Sequence, residues 1–471
     1  MTKAKVTRKK AAKGEPPKAP LPEFLSRKES LAAGKVLRDK VPRDHHGAWK
    51  PSAKRRDPIA VLEESNRDRM PELVPIRYGR MLRSPFTFLR GSAGLMAYDL
   101  ATRPSTGLRV QACGDCHLLN FGMFATPERN LVFDINDFDE TLPAPWEWDV
   151  KRLGASFAVA ARDRRFSDEE ARGAAVTCAR AYRVHLRECS KKSPLEVWYE
   201  HLDLQSLIDE APNAKARKLR QEIAAKARQR IGEYLVPTLT TAAGGHRRLV
   251  DQPPVLFHFA EKDAEARFRE GMEDYRQSLP DSVRVLFDRY RLEDWAVKVV
   301  GIGSVGTRCM VGLFFSAEGH PLFLQFKEAC PSVLAPYAGK SVYENQGQRV
   351  VVGQRLMQSS SDIFLGWTHG RRGYHYFGRQ LRDMKFSFPV EAMSVVQVKR
   401  YAQVCGSVLA RAHAKSGDAA KISGYLGKTD AFDQALGEFS LAYADQTVRD
   451  HAALVAAVKA GRLKALVEED L

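Results

Sequence analysis

No apolar run in this 471-residue chain approaches the roughly 20 residues that a bilayer-spanning helix requires. The basic start is not followed by an apolar stretch either, so the sequence reads as having no secretory signal. Cysteine is sparse and odd in number, seven residues with one close pair, Cys113 and Cys116. That count speaks against a disulfide framework and for reduced thiols in a cytoplasm. The Cys-x-x-Cys spacing has no second pair and no thioredoxin-like surroundings, so a zinc or redox role there is weakly supported. No internal repeat is visible, which excludes a solenoid or propeller. What remains is an ordinary globular composition, 44% hydrophobic, on a chain too long for one small core. A bilobal unit or two domains is the expectation.

Acidic residues are scarce mainly near the start. The net charge is +17; residues 1–56 hold 17 Lys or Arg against 5 Asp or Glu, a net +12, which leaves +5 for residues 57–471. Met1 to Leu21 is rich in Lys, Ala and Pro with no apolar period, and residues 1–26 read as a disordered basic tail. Such a tail can touch nucleic acid or an anionic surface non-specifically, or act only as a solubilising extension. Lys215 to Arg230 reads as a helix with a solvated basic face.

Against this background one stretch carries chemistry. Cys113-Gly114-Asp115-Cys116-His117-Leu118-Leu119-Asn120 is followed by Leu131-Val132-Phe133-Asp134-Ile135-Asn136-Asp137-Phe138-Asp139-Glu140. An Asp, an Asn five residues on, and an acidic turn after a short apolar strand are what phosphoryl transfer from a nucleotide requires. One carboxylate orients or deprotonates the attacking hydroxyl, an Asn oxygen holds a metal, and a second carboxylate holds metal against the phosphates. Mg²⁺ takes oxygen ligands and keeps some waters, so few protein ligands suffice. Each segment alone is also an ordinary turn, since Asp and Asn hydrogen-bond their own backbone.

A second stretch joins it. Gly301, Gly303 and Gly306 form a G-x-G-x-x-G between two β-rich runs. Cys309 to Phe315 is mostly apolar with no N-cap or helical period, so the turn joins strand to strand and does not open a helix. A glycine hairpin of that kind covers phosphates in kinases. Ser304 lies inside it, and Arg308 just after it could face the phosphates. The next strand, Pro321 to Ala329, runs up to Lys327, placed to reach the α- and β-phosphates. Its acidic partner is sought on a predicted helix over Ser341 to Ser359. Glu344 is the only carboxylate there, with Gln348 and Gln354 as neutral alternatives. Two further strands are predicted between Gly366 and Leu381, with Arg379, Gln380 and Leu381 as the hinge beside the nucleotide base. Pro237 to Phe257 reads as a loop. Arg77, Arg80 and Arg90 make the segment before the first acidic motif Arg-rich, suited to anion contacts.

These strings resemble the bacterial family catalogued as domain of unknown function 2252, grouped with protein-kinase-like and aminoglycoside-phosphotransferase-like folds. The similarity also runs through Leu73-Val74-Pro75-Ile76-Arg77-Tyr78-Gly79, Pro145-Trp146-Glu147-Trp148-Asp149, Asn345-Gln346-Gly347-Gln348-Arg349 and Leu409-Ala410-Arg411-Ala412-His413. The resemblance implies an α+β, bilobal protein-kinase-like fold with a small β lobe and a larger, mostly helical lobe. Asp115 matches the catalytic aspartate of an H-G-D-x-x-x-x-N pattern and Asn120 its metal asparagine; the usual His is Cys113 here. Asp134 is favoured as the metal Asp because it directly follows an apolar strand, with Asp137 as the competitor. Asp149 could anchor the catalytic loop through its backbone.

The parts run in an unusual order, catalytic loop first and glycine turn far downstream, which a circular permutation explains. The expected units are a part at 27–290 with catalytic loop, metal turn and helices, a nucleotide-binding β lobe at 291–385, and helices at 386–471 that complete the large lobe. The expected ligands are ATP and Mg²⁺ with an acceptor of unknown identity. Three functions stay open: an ATP-dependent phosphotransferase, a nucleotidyltransferase transferring an adenylyl group on the same fold, and a non-catalytic kinase-like binding module.

Overall fold

A computed structural model describes residues 24–467, apart from 212, 230–231, 244–245, 260–263, 371–372 and 382–383. Most of the basic tail expected over residues 1–26 lies outside the described residues, as does the Gly244-Gly245 pair. The chain is α+β, with small sheets and a larger helical part.

The helical part is written into the sequence by its caps. Ser26, Ser167 and Ser394 each accept a hydrogen bond from the backbone three residues on. The Glu or Gln at that position reaches back, so the helices Arg27–Lys40, Asp168–Cys189 and Val395–Ala414 all start on a capping box. At the centre lies the helix Trp146–Asp163, whose residues 146–161 are all buried. Three long helices, Asp168–Cys189, Val395–Ala414 and Ala431–Lys459, pack around it. A helix buried all round is expected to be apolar, yet this one carries Glu147, Asp149, Lys151 and Arg152. Burying charge is costly unless it is paired, and each is engaged. Glu147 accepts from Thr106 N and Oγ1, Lys151 Nζ lies 4.7 Å from the ring centre of Phe439, and Asp149 and Arg152 reach the loops described below.

The larger sheet is antiparallel. Its strands run in the order Leu256–Phe257, Tyr290–Lys298, Cys309–Ser316, Pro321–Glu328, His375–Gln380, Gly366–His369. The two strands predicted after Gly366 are present. The sheet takes in residues before 291, with Leu256–Phe257 at its edge and the next strand starting at Tyr290, and its register is irregular between Leu292 and Asp294. One face is covered by the helices Ala264–Ser278 and Asp281–Phe287 through Phe268, Tyr275, Phe287, Phe314, Leu324 and Phe326. Side chains alternate along a strand, so Lys327, next to Phe326, is turned to the other face. The predicted loop over 237–257 is instead partly a hairpin, Thr240–Ala243 paired with His246–Leu249. Two short β-capable runs around a glycine pair were the missed signal.

Two small ladders position the acidic motifs. Arg109–Ala112 pairs antiparallel with Leu142–Pro145, ending on Ala112 opposite Leu142. Phe121–Ala125 pairs with Leu131–Ile135, beginning on Phe121 opposite Ile135. The chain crosses from one ladder to the other twice, at 113–120 and 136–141, and register forces the two crossings side by side.

Candidate active site

The paired crossings are tied to each other and to the buried helix. Asn136 N donates to Asn120 O at 2.7 Å, and Asn120 Nδ2 donates to Asp115 O at 2.6 Å. The Asp149 carboxylate accepts from Cys113 N at 2.6 Å and Gly114 N at 2.9 Å, with His413 Nε2 3.2 Å away. Asp149 thus braces the loop through its backbone. Gly114 has φ 88°, and a Cβ there would sit 2.3 Å from Glu140 O, so both the turn and the second crossing require glycine.

Asp115, Asn120, Asp137 and Asp139 from these loops line a cavity of about 170 Å³ together with Gly301, Gly303 and Ser304 of the glycine turn. The turn is pinned on its far side. Arg80 donates to Gly301 O at 2.6 Å, Arg69 to Val305 O at 2.5 Å, and Met70 N to Gly306 O at 2.8 Å. Gly301 and Gly306 hold φ 67° and 87°, a conformation that suits glycine. Arg69, Arg77 and Arg90 close the N-terminal wall of the same cavity. Arg77 bonds the side chains of Ser65 and Asn66 and the carbonyl of Gly91, so it is a brace and not a free anion contact.

Lys327 is buried, with Nζ 2.5 Å from Asp139 Oδ2 and 3.8 Å from Asp137 Oδ2. Ser304 Oγ also reaches Asp139 Oδ2, at 3.2 Å. Asp139 Oδ1 is buried and has no hydrogen-bond partner among the described residues. Burial acts to raise the Asp137 carboxyl, but Lys327 and Arg379 outweigh it and hold the group well below the usual carboxylate range. Asp139 is pushed the other way, by burial and by the charge of Asp137. Burial would lower Lys327; the two carboxylates keep it above its ordinary value, so it is charged.

Asp115 is held by Arg152, whose Nε lies 2.6 Å from Oδ1, while Oδ2 is 4.0 Å from His117 Nε2. Burial drives His117 down to about 4, so the ring is neutral near pH 7. Burial likewise pushes Glu140, whose Oε2 accepts from Val333 N at 2.7 Å, up to about 7.

Several predicted residues lie elsewhere. Asp134 is buried and turned away from the cavity: Arg411 bonds both its oxygens at 2.7 Å, and Ser359 N and Oγ each donate to Oδ2 at 2.8 Å. Glu344 is exposed and precedes its helix, which runs Gln346–Met357 with Asn345 as N-cap. The helix turns Arg349 inward, onto the carbonyls of Asp139, Thr141 and Cys330. Lys327 therefore takes its acidic partner from the turn and not from the helix. Arg308 continues the ladder opposite Glu328, whose N–H donates to Arg308 O at 2.9 Å; its side chain bonds Glu328 at 3.2 Å and lies 4.0 Å over the Tyr374 ring, and it does not line the glycine turn's cavity, though Glu328 does. Gln380 lines a separate cavity of about 30 Å³ with Asn136 and Asp362, and Leu381 is buried with its N–H on Phe323 O. Asp139, Arg152 and Arg349 were not singled out in the sequence. Asp139 had a usable signal, as the second Asp of the Asp-Phe-Asp-Glu turn.

The family model described as an uncharacterized protein conserved in bacteria (DUF2252) matches residues 69–457. The chain belongs to this family. The match begins at Arg69, on the wall over the glycine turn, and spans both crossings, Lys327 and Arg411. No curated protein and no solved structure matches the chain.

Proposed function

We propose that this cleft binds a magnesium–nucleotide and transfers a phosphoryl group from it to a hydroxyl of a small molecule or protein, on a bilobal kinase-like fold whose parts are circularly permuted. The observation that carries the reading is the meeting of Lys327 with Asp139 across 188 residues of chain, beside a glycine turn and an Asp115–Asn120 loop. Lys327 bonds Asp139, and Asp139 lines one cavity with Asp115, Asn120, Gly301 and Gly303.

The residues divide the work as follows. Asp115 accepts the acceptor's hydroxyl proton while the new O–P bond forms and the bond to the nucleotide's leaving oxygen breaks. Arg152 fixes Asp115 by one oxygen and leaves Oδ2 for the acceptor. Asp137, Asp139 and Asn120 would hold Mg²⁺; Asp137 is ionised and Asp139 Oδ1 is a buried acceptor in want of a cation. Magnesium, when bound, offsets phosphate charge during transfer. Lys327 supplies the fixed cation for the phosphates. In the free protein it neutralises Asp139, so metal and phosphates must take over the two halves of that pair. The roughly 30 Å³ space beside Gln380 suits a water and not a purine, so base binding requires the sheet to move away from the crossings.

The experiment is a thermal-shift and calorimetric titration with ATP and GTP, with Mg²⁺ or Mn²⁺, followed by mass spectrometry of acceptors modified in a cell extract. A ligand of the native state raises Tm by mass action. A phosphoryl mass on the acceptor supports the reading, and an adenylyl mass replaces it with nucleotidyl transfer. No shift and no heat with any of these nucleotides would sink both.

A further inference from the structure

The helix Asp168–Cys189 ends beside a cluster that the cleft does not use. His185 and Cys189 are four residues apart, so both project from one face of its last turns. Glu200 returns to that face at the end of the short helix Pro194–Tyr199. One donor atom from each, an imidazole nitrogen, a thiol sulfur and a carboxylate oxygen, lie within 4.8 Å of one another. His185 Nε2 is 2.9 Å from Glu200 Oε1, and Cys189 Sγ is 3.8 Å from Glu200 Oε2. Lys192 Nζ lies 2.8 Å from Oε2.

We propose that His185, Cys189 and Glu200 form a site for a zinc-class divalent cation. Glu200 pairs with His185 and Lys192, and the Cys189 S–H donates to Glu200 Oε2 at 3.8 Å, so imidazole and thiol already converge on one carboxylate. Burial, with Glu200 beside it, pushes the Cys189 thiol up to about 12. A cation reverses that balance, because it binds the thiolate and neutralises the carboxylate. The mixed nitrogen, sulfur and oxygen set is one that Zn²⁺ accepts and Mg²⁺ or Ca²⁺ does not. Two donors at i and i+4 on a helix with a third from a following segment is an established way to hold zinc, with a fourth position left to water. His185 and Glu200 are 26% and 20% exposed at the side chain, so the ion has a route in. Binding sends the thiol proton to solvent and releases Lys192. The ion would fasten the helix end to the segment whose Leu202 carbonyl accepts from Phe133 N at 2.8 Å, next to Asp134.

The test is a Co²⁺ titration of the full-length protein after chelation. One equivalent should give thiolate-to-cobalt charge-transfer absorption with tetrahedral d–d bands, release a proton, and be displaced by Zn²⁺ but not by Mg²⁺. Cys189→Ser should abolish the charge-transfer band. His185→Gln, at a partly exposed position that leaves folding intact, should weaken Co²⁺ binding by at least about 100-fold, the upper end of what even outer-shell partners are worth. Asp139→Asn should leave the spectrum unchanged. The proposal is overturned if excess Co²⁺ gives no charge-transfer band, or if the band survives Cys189→Ser and so belongs to another cysteine.

Discussion

Asp134 and Asp139 lie five residues apart, one on the strand Leu131–Ile135 and one in the turn that follows, and they have opposite surroundings. Asp134 is sealed, with both oxygens on Arg411 and two further donors from Ser359. Asp139 has one oxygen on Lys327 and another, buried, with no partner among the described residues. A carboxylate whose partners are complete contributes to the fold, and one whose partners are incomplete is available for a ligand. Position at a strand end, which favours Asp134 from sequence, does not distinguish the two; the count of donors does.

The largest effect should come from the sealed side. Arg411→Leu leaves Asp134 buried without a countercharge and should lower unfolding free energy by about 3–5 kcal/mol, measured by urea denaturation. If Asp134→Asn instead left stability unchanged and abolished metal-dependent nucleotide binding, the contrast would be reversed. On the open side, Asp115→Asn should reduce group transfer by at least about 10²-fold with nucleotide affinity kept. Asp139→Asn should weaken both transfer and the Mg²⁺ dependence of binding; because Asp137 stays beside the buried Lys327, it should lower the urea midpoint less than Arg411→Leu does. Activity assays beside nucleotide titrations separate these two outcomes.

A smaller effect is expected in pH dependence. Glu140 is raised when folded, to about 7, so its protonated form belongs to the native state. Its contribution is present below the ordinary carboxyl pKa and is lost as pH rises through about 7. His117 works the other way, its folded value depressed to about 4, with a contribution lost as pH falls below its ordinary value. Stability of Glu140→Gln should therefore fall less than that of the wild type between about pH 4.5 and 7, read from denaturation midpoints; parallel curves would remove Glu140 from the account. The smallest effect belongs to Glu344→Ala. This exposed residue outside its helix should change stability by no more than about 0.5 kcal/mol and leave nucleotide binding alone. A loss of binding there would restore it as the partner of Lys327.

What was legible in the sequence was whatever chemistry fixes at short range. The Asp115–Asn120 spacing, the glycine turn, the strand ending on Lys327 and the Ser394 cap all follow from neighbours within a few residues. The choice between Asp134 and Asp139 does not, because it rests on Arg411, 277 residues from Asp134, and on Lys327. Glu344 was misplaced because Asn345, a better cap than a continuation, starts the helix after it. Arg308 could have been placed with register in hand. It pairs across the ladder from Glu328, and alternation puts both on the face opposite Lys327.

The long reach of these pairs has a consequence for how the protein is made. Synthesis proceeds from the N-terminus at about 5–20 residues per second, so the acidic segment 134–140 leaves the ribosome well before either countercharge. Lys327 and Arg411 follow 188 and 277 residues behind their partners. Until Arg411 arrives, the strand at Asp134 cannot be buried without a large electrostatic penalty. Until Lys327 arrives, nothing neutralises Asp139. A chain that stops short of the helix Val395–Ala414 therefore lacks the countercharge that lets the strand at Asp134 be buried.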